Sequence, residues 1–135
     1  MALAEAQKEI AELLRREPAI GGIVSVAHQD FEEGGQADCY TVVQRLMGAE
    51  VWSNDGSEGL SLPVITVMPM DSSRSRLGAT IQAIEERVNN FSGQVTAGGP
   101  MIQMCILDEV NDLYDEESSY YGAEMTFLVA IGEAP

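Results

Sequence analysis

The chain has 135 residues, 45% of them apolar, and its 22 acidic and 7 basic side chains give a net charge of −15. That length suits one domain able to bury roughly two thirds of its unfolded surface, and no apolar run approaches the roughly 20 residues of a membrane helix, so no membrane association is expected. Gripping a nucleic-acid backbone requires Lys and Arg to neutralise phosphates; a chain whose only lysine is Lys8 and whose pI is near 4.1 is poorly suited to that.

In chain order, Leu3, Ala6, Ile10, Leu13 and Leu14 recur at spacings of three and four and predict an opening amphipathic helix, ended by Pro18 and Gly21-Gly22. The same stretch lacks the basic flank and apolar h-region of a secretion signal, which leads to the expectation of cytoplasmic synthesis. A short apolar strand over 23–27 gives way to HQDFEEGGQAD, whose paired glycines and polar residues mark a flexible loop or arm over 28–38. Two β-branched runs follow, YTVVQRLMGAEVW and LSLPVITVMPM. The Asp55-Gly56 step between them signals a β-hairpin. Pro63 has no N–H for a ladder, so its strand is expected to be locally at an edge or bulged.

A second helix is capped by Asp71 or one of the serines after it, with Leu77, Ile81, Ile84, Val88 and Phe91 on one face. Beyond Ser92-Gly93 and Gly98-Gly99-Pro100, two apolar strands, MIQMCIL and YYGAEMTFLVAI, flank the acidic connection DEVNDLYDEESS, read as a protruding loop over 108–119. Met125, Phe127, Val129 and Ile131 alternate toward one face of the last strand. The expected architecture is a two-layer α+β domain spanning 1–135, a mainly antiparallel β-sheet with two amphipathic helices packed on one face. Cys39, placed in a polar loop, and Cys105, inside a strand, read as free thiols.

Signals for chemistry are sparse. His28 is the single histidine, so a multi-histidine metal cage or proton relay cannot be built, and one residue would have to serve any Ser/His/Asp couple. Neither a nucleotide-binding loop nor a nucleophile-elbow motif is present. Acidic pairs such as Glu85-Glu86 arise from composition alone, and DEVNDLYDEE lacks the spacing and glycine of a calcium loop. The expectation is therefore no enzyme, no metal and no cofactor. The candidates for interface residues are Asp30, Phe31, Glu32, Glu33, Trp52, Asp55, Asp112, Tyr114, Asp115, Glu116, Glu117 and Tyr120. Trp52 is read first as packing under the hairpin turn and second as an interface anchor. Met68, Met70, Met101, Met104 and Met125 are read as adaptable core filling. Six of the basic residues (Lys8, Arg15, Arg16, Arg74, Arg76 and Arg87) fall in the two helices. The acidity suits solubility first, and beyond that a basic partner or a passage through which DNA slides without sticking.

The order of these elements resembles the tail-terminator (tail-completion) proteins of long-tailed bacteriophages and related gene-transfer particles. The resemblance runs over most of the chain: the opening helix, the Tyr40-Thr41-Val42-Val43 strand, the 52–59 turn, LPVITVMPM, the helix SRSRLGATIQAIEERV, and the closing MIQMCILDEVNDLYDEESSYYGAEMTFLVAI. It implies a homo-oligomeric ring, commonly of six copies, located in the virion tail or neck. Such a ring caps the tail tube, ends its polymerisation and joins a head-tail connector or stopper protein, while DNA passes through without specific binding. Two other classes remain open at this level: a stopper or tube subunit of the same particle, and a small acidic module that docks on a basic protein through 30–33 and 115–117.

Overall fold

The computed structural model describes residues 2–20, 23–26, 39–51 and 60–132. The elements run α1 (Ala2–Arg15), β1 (Ile23–Val26), β2 (Cys39–Val51), β3 (Leu60–Asp71), α2 (Arg74–Val88), β4 (Gly93–Gln94), β5 (Met101–Asp115) and β6 (Tyr120–Gly132). They form an α+β fold with one six-stranded sheet of order β1-β2-β3-β6-β5-β4. Every pairing is antiparallel except β1 with β2. The four long strands pair along nearly their whole lengths; at ~3.3 Å per residue each spans roughly 40 Å.

Residues directly opposite each other in an antiparallel ladder share a face, so the register sorts the sheet into two sides. On one side Val43, Val67 and Met125 line up across three strands. Beside them run Ile65 with Phe127 and Leu107, Val129 with Cys105, and Ile131 with Ile102. These residues form the core together with Ala6, Ile10, Leu13 and Leu14 of α1 and Ala83, Ile84 and Val88 of α2, so both helices cover the same face. The alternation read from Met125 to Ile131 is that face, with all four residues at most 2% exposed. Burial pushes the Cys105 thiol up to about 12. Neither cysteine forms a disulfide, and Cys39 starts a strand instead of lying in a loop.

Helix α2 is held at both ends. The Ser73 hydroxyl accepts from the Arg76 N–H at 3.2 Å as N-cap. Arg76 in turn donates through Nε (2.8 Å) and Nη2 (2.7 Å) to the two carboxylate oxygens of Asp71, which is itself 1% exposed. Burial alone would raise the Asp71 pKa; the Arg76 and Ser73 hydrogen bonds and the Arg76 charge outweigh it and hold the carboxyl below its usual range. At the other end Asn90 adopts a left-handed φ of 67° and gives its N–H to the Cys105 carbonyl at 2.6 Å. The Asn89 side chain accepts from the Leu107 N–H at 2.8 Å. The helix stops at Val88, so Phe91, assigned by spacing to its apolar face, packs from the segment that follows.

Strand β3 is flanked by β2 and β6, but at Pro63, opposite Gly48, the β3–β6 pairing skips from Ser61 to Val64, so the strand is locally unpaired on that side, as a residue without an N–H requires. One sequence expectation is corrected: the acidic segment over 108–119 is not a loop, because β5 continues to Asp115 with β6 as partner throughout and only 116–119 form the turn. The expected arm over 28–38 and the hairpin turn over 52–59 lie outside the described residues.

Candidate functional site

The face opposite the helices carries a different chemistry. Gln44, Thr66, Thr126 and Glu109 make one cross-strand row, Val64, Leu128 and Ile106 another, and Tyr40, Met70, Gly122 and Leu113 a third. Leu62, Met104, Ile106, Leu113 and Leu128 remain 37–41% exposed. Met104, expected in the core, belongs to this open face. Gly122 has a local reason to be glycine: a methyl group there would overlap the Met70 sulfur, which crosses the strand beside it.

The outer margin of the sheet at β5 is the most unusual feature. Strand β4 pairs only with Met101 and Ile102, and the end of α2 occupies the Cys105 carbonyl and the Leu107 N–H. Among the described residues no strand pairs with the outer edge of β5 from 108 to 115. That stretch is exposed throughout and mixes acids (Asp108, Glu109, Asp112 and Asp115) with large apolar side chains, Val110 at 41%, Leu113 at 37% and Tyr114 at 54% exposure. A bulge between Leu107 and Glu109 marks where it begins. An open edge presents unpaired main-chain groups and is a template for another strand.

Of the sequence candidates, the structure brings Asp112, Tyr114, Asp115, Glu116, Glu117 and Tyr120 together at this end of the β5–β6 hairpin. Their roles differ. Asp115 builds the turn: its Oδ1 accepts from the Glu117 N–H (3.1 Å), its Oδ2 from the Ser118 hydroxyl (2.9 Å) and its carbonyl from the Ser119 N–H (2.8 Å). Glu116 and Glu117 are exposed on that turn. Tyr114 packs against Tyr121 with ring centroids 5.2 Å apart on the helix side, and Tyr120 packs against Tyr40 at 5.9 Å on the open side. Burial, then the nearby Asp115 charge and Tyr120, raise the Tyr40 pKa. A cleft of about 330 Å³ lies beside the hairpin, lined by Arg74, Leu77, Asp112, Tyr114 and Tyr121 among others. Asp30, Phe31, Glu32, Glu33, Trp52, Asp55 and His28 lie outside the described residues.

Sequence reasoning missed the open-face apolar side chains and Val110 and Leu113. The signal for Val110 and Leu113 was the interruption of an acidic run by large apolar residues. It also missed the Asp71–Arg76 pair, whose signal was a carboxylate five positions before an arginine across a helix start. Among the described residues no three His, Cys, Asp or Glu side chains converge as a metal site, and no helix is long and apolar enough to cross a membrane. The edge, its turn and the open face are suited to contact with protein surfaces.

No protein-family model matches the sequence, and no curated protein matches it. In structure the chain is similar to a chain of a solved assembly described as the virion of a native gene transfer agent particle, with a TM-score of 0.71 at 15% identity. The match covers 97% of this chain and 98% of that one, so the likeness is one of fold from end to end.

Proposed function

We propose that the protein is a structural component of a phage-like particle, acts without catalysis, and serves as a tail terminator. In this reading several copies, commonly six, close into a ring that caps the tail tube, stops its polymerisation and offers a surface to the head-tail connector, leaving a channel for DNA. The observation that carries the reading is the fold likeness to a virion chain over essentially the full length of both chains. The order of elements, from opening helix to closing strand-turn-strand, is compatible with it. So is the acidity: at a net charge of −15 per copy, a ring repels phosphates and lets DNA slide. A surface of exposed apolar side chains on an open sheet face and edge suits assembly better than it suits a solitary monomer.

The test is tube growth. Tail-tube subunits polymerised with the purified protein should give tubes whose growth stops, with mean length falling as the protein is added in substoichiometric amounts. Tubes that incorporate it along their length would make it a tube subunit. Growth unaffected at any ratio would remove the terminator reading.

A further inference from the structure

We infer that the open edge of β5, centred on Asp112, docks on the edge formed by β1 and Arg15 of a second copy. The inference rests on the ring reading and names the surfaces that would join neighbouring copies. Three features of the sheet lead to it.

The first is level. Val24 lies opposite Thr41, and Thr41 opposite Pro69. The pairs Met70–Gly122 and Val67–Met125 place Pro69 across from Ala123, which pairs with Asp112. The uncovered stretch of β5 therefore lies at the same height in the sheet as β1 on the opposite margin. Copies set side by side without sliding along their strands bring these two edges together. Zero translation is what a closed ring needs when the strands run along its axis, whereas an offset produces an open helix.

The second is direction. Strand β1 runs parallel to β2, and the successive antiparallel pairings of β2 with β3, β3 with β6 and β6 with β5 leave β5 antiparallel to β1. A neighbour in the same orientation thus presents β1 antiparallel to β5. Antiparallel pairing is the slightly more stable arrangement.

The third is charge. Arg15 reaches from the end of α1 to the Val24 carbonyl through Nε at 3.1 Å and Nη2 at 2.8 Å, with its side chain 46% exposed; its Nη1 also lies 3.6 Å from the Glu12 carboxylate, which Arg16 shares at 3.9 Å, so the two arginines outnumber the one acid there. Arg15 therefore places a half-exposed cation at the β1 margin. Asp112 is at the same level and, through its pairing with the core residue Ala123, on the same helix-side face. Two β5 edges pair poorly about Asp112, because antiparallel self-pairing centred there sets Asp112 opposite Asp112, Glu109 opposite Asp115 and Asp108 opposite Glu116, and like charges opposite one another destabilise a ladder. The acids thus disfavour a symmetric dimer and favour a head-to-tail contact. Val110, Leu113 and Tyr114 supply apolar surface at the same place.

A photo-crosslinking side chain, p-benzoylphenylalanine, in place of Tyr114 tests the contact, with equal amounts of ¹⁴N- and ¹⁵N-labelled protein mixed so that products between copies are recognised by mass. After illumination and trypsin, the expected product joins residue 114 of one copy to the peptide 17–45 of another, which contains β1. In parallel, Asp112→Arg should lower the fraction of protein in rings at least tenfold with the circular-dichroism melting curve unchanged. Rings that crosslink only through other peptides, or rings that persist in Asp112→Arg at the wild-type level, overturn the pairing and leave the ring reading standing. Wild-type protein that stays monomeric, alone and with tubes, overturns both.

Discussion

Replacing Asn89 by Ala probes how the margin of the sheet is divided into a covered and an open part. The Asn89 side chain accepts the Leu107 N–H at 2.8 Å at the point where α2 stops covering β5. A net intramolecular hydrogen bond contributes about 1 kcal/mol, and a fully buried orphaned donor costs up to about 3. Leu107 is half-buried, so water reaches the vacated N–H and the expected loss is about 1 kcal/mol in urea unfolding. Locally the effect should be clearer: the Leu107 amide should exchange with solvent about fivefold faster, since ~1.4 kcal/mol is a factor of ten. Asn89→Asp keeps an acceptor and should keep the protection, while its charge near the helix C-terminus costs roughly 0.3–1 kcal/mol. If the Leu107 amide exchanges at the wild-type rate in Asn89→Ala, the edge is not closed by this side chain and the boundary of the open stretch has been drawn in the wrong place.

Phe127 is fully buried between Ile65 and Leu107, so Phe127→Ala should cost about 3–5 kcal/mol in denaturant unfolding; a loss under about 1 kcal/mol would mean that the core is elsewhere. The Asp71 carboxyl is held below its ordinary value near 3.8, so its contribution is fully present above that pH, where the unfolded chain is also ionised. It is lost as the pH falls from there through the lowered native pKa. The stability difference between wild type and Asp71→Asn should therefore be constant at neutral pH and shrink only below about 3.8; a difference that shrinks between pH 7 and 5 would contradict the assignment. Asp115→Ala should cost about 1 kcal/mol through the lost turn bonds, whereas Glu116→Lys with Glu117→Lys should stay within about 0.5 kcal/mol of wild type. The reverse order in thermal melts would assign the turn to the wrong residue.

Periodicity made much of the fold legible. The α1 stripe at Ala6, Ile10, Leu13 and Leu14 and the β6 alternation from Met125 to Ile131 are both core, because each requires a single buried face and a fixed step. Where the pattern mixed acids with apolar residues it misled. The segment DEVNDLYD has the composition of a loop, yet it forms strand because β6 supplies a partner along its whole length, and ladder hydrogen bonding does not depend on side-chain polarity. Which sheet face is left uncovered could not be read from β3 or β6 alone, since both faces of Leu60–Asp71 are rich in apolar residues. It follows from both helices choosing the same side. The placement of Arg15 over the Val24 carbonyl depends on where a helix end meets a strand, which no local spacing encodes. For the candidate site, the hairpin end was found from its clustered tyrosines and acids, but its division into a turn-building Asp115 and an open edge around Asp112 required the register.

The most direct measurement is electron microscopy of the purified protein mixed with tail tubes. Rings seated at one end of each tube, absent from the shaft and from the other end, are the expected result. Protein decorating or extending the shaft, or remaining monomeric beside bare tube ends, would contradict the account.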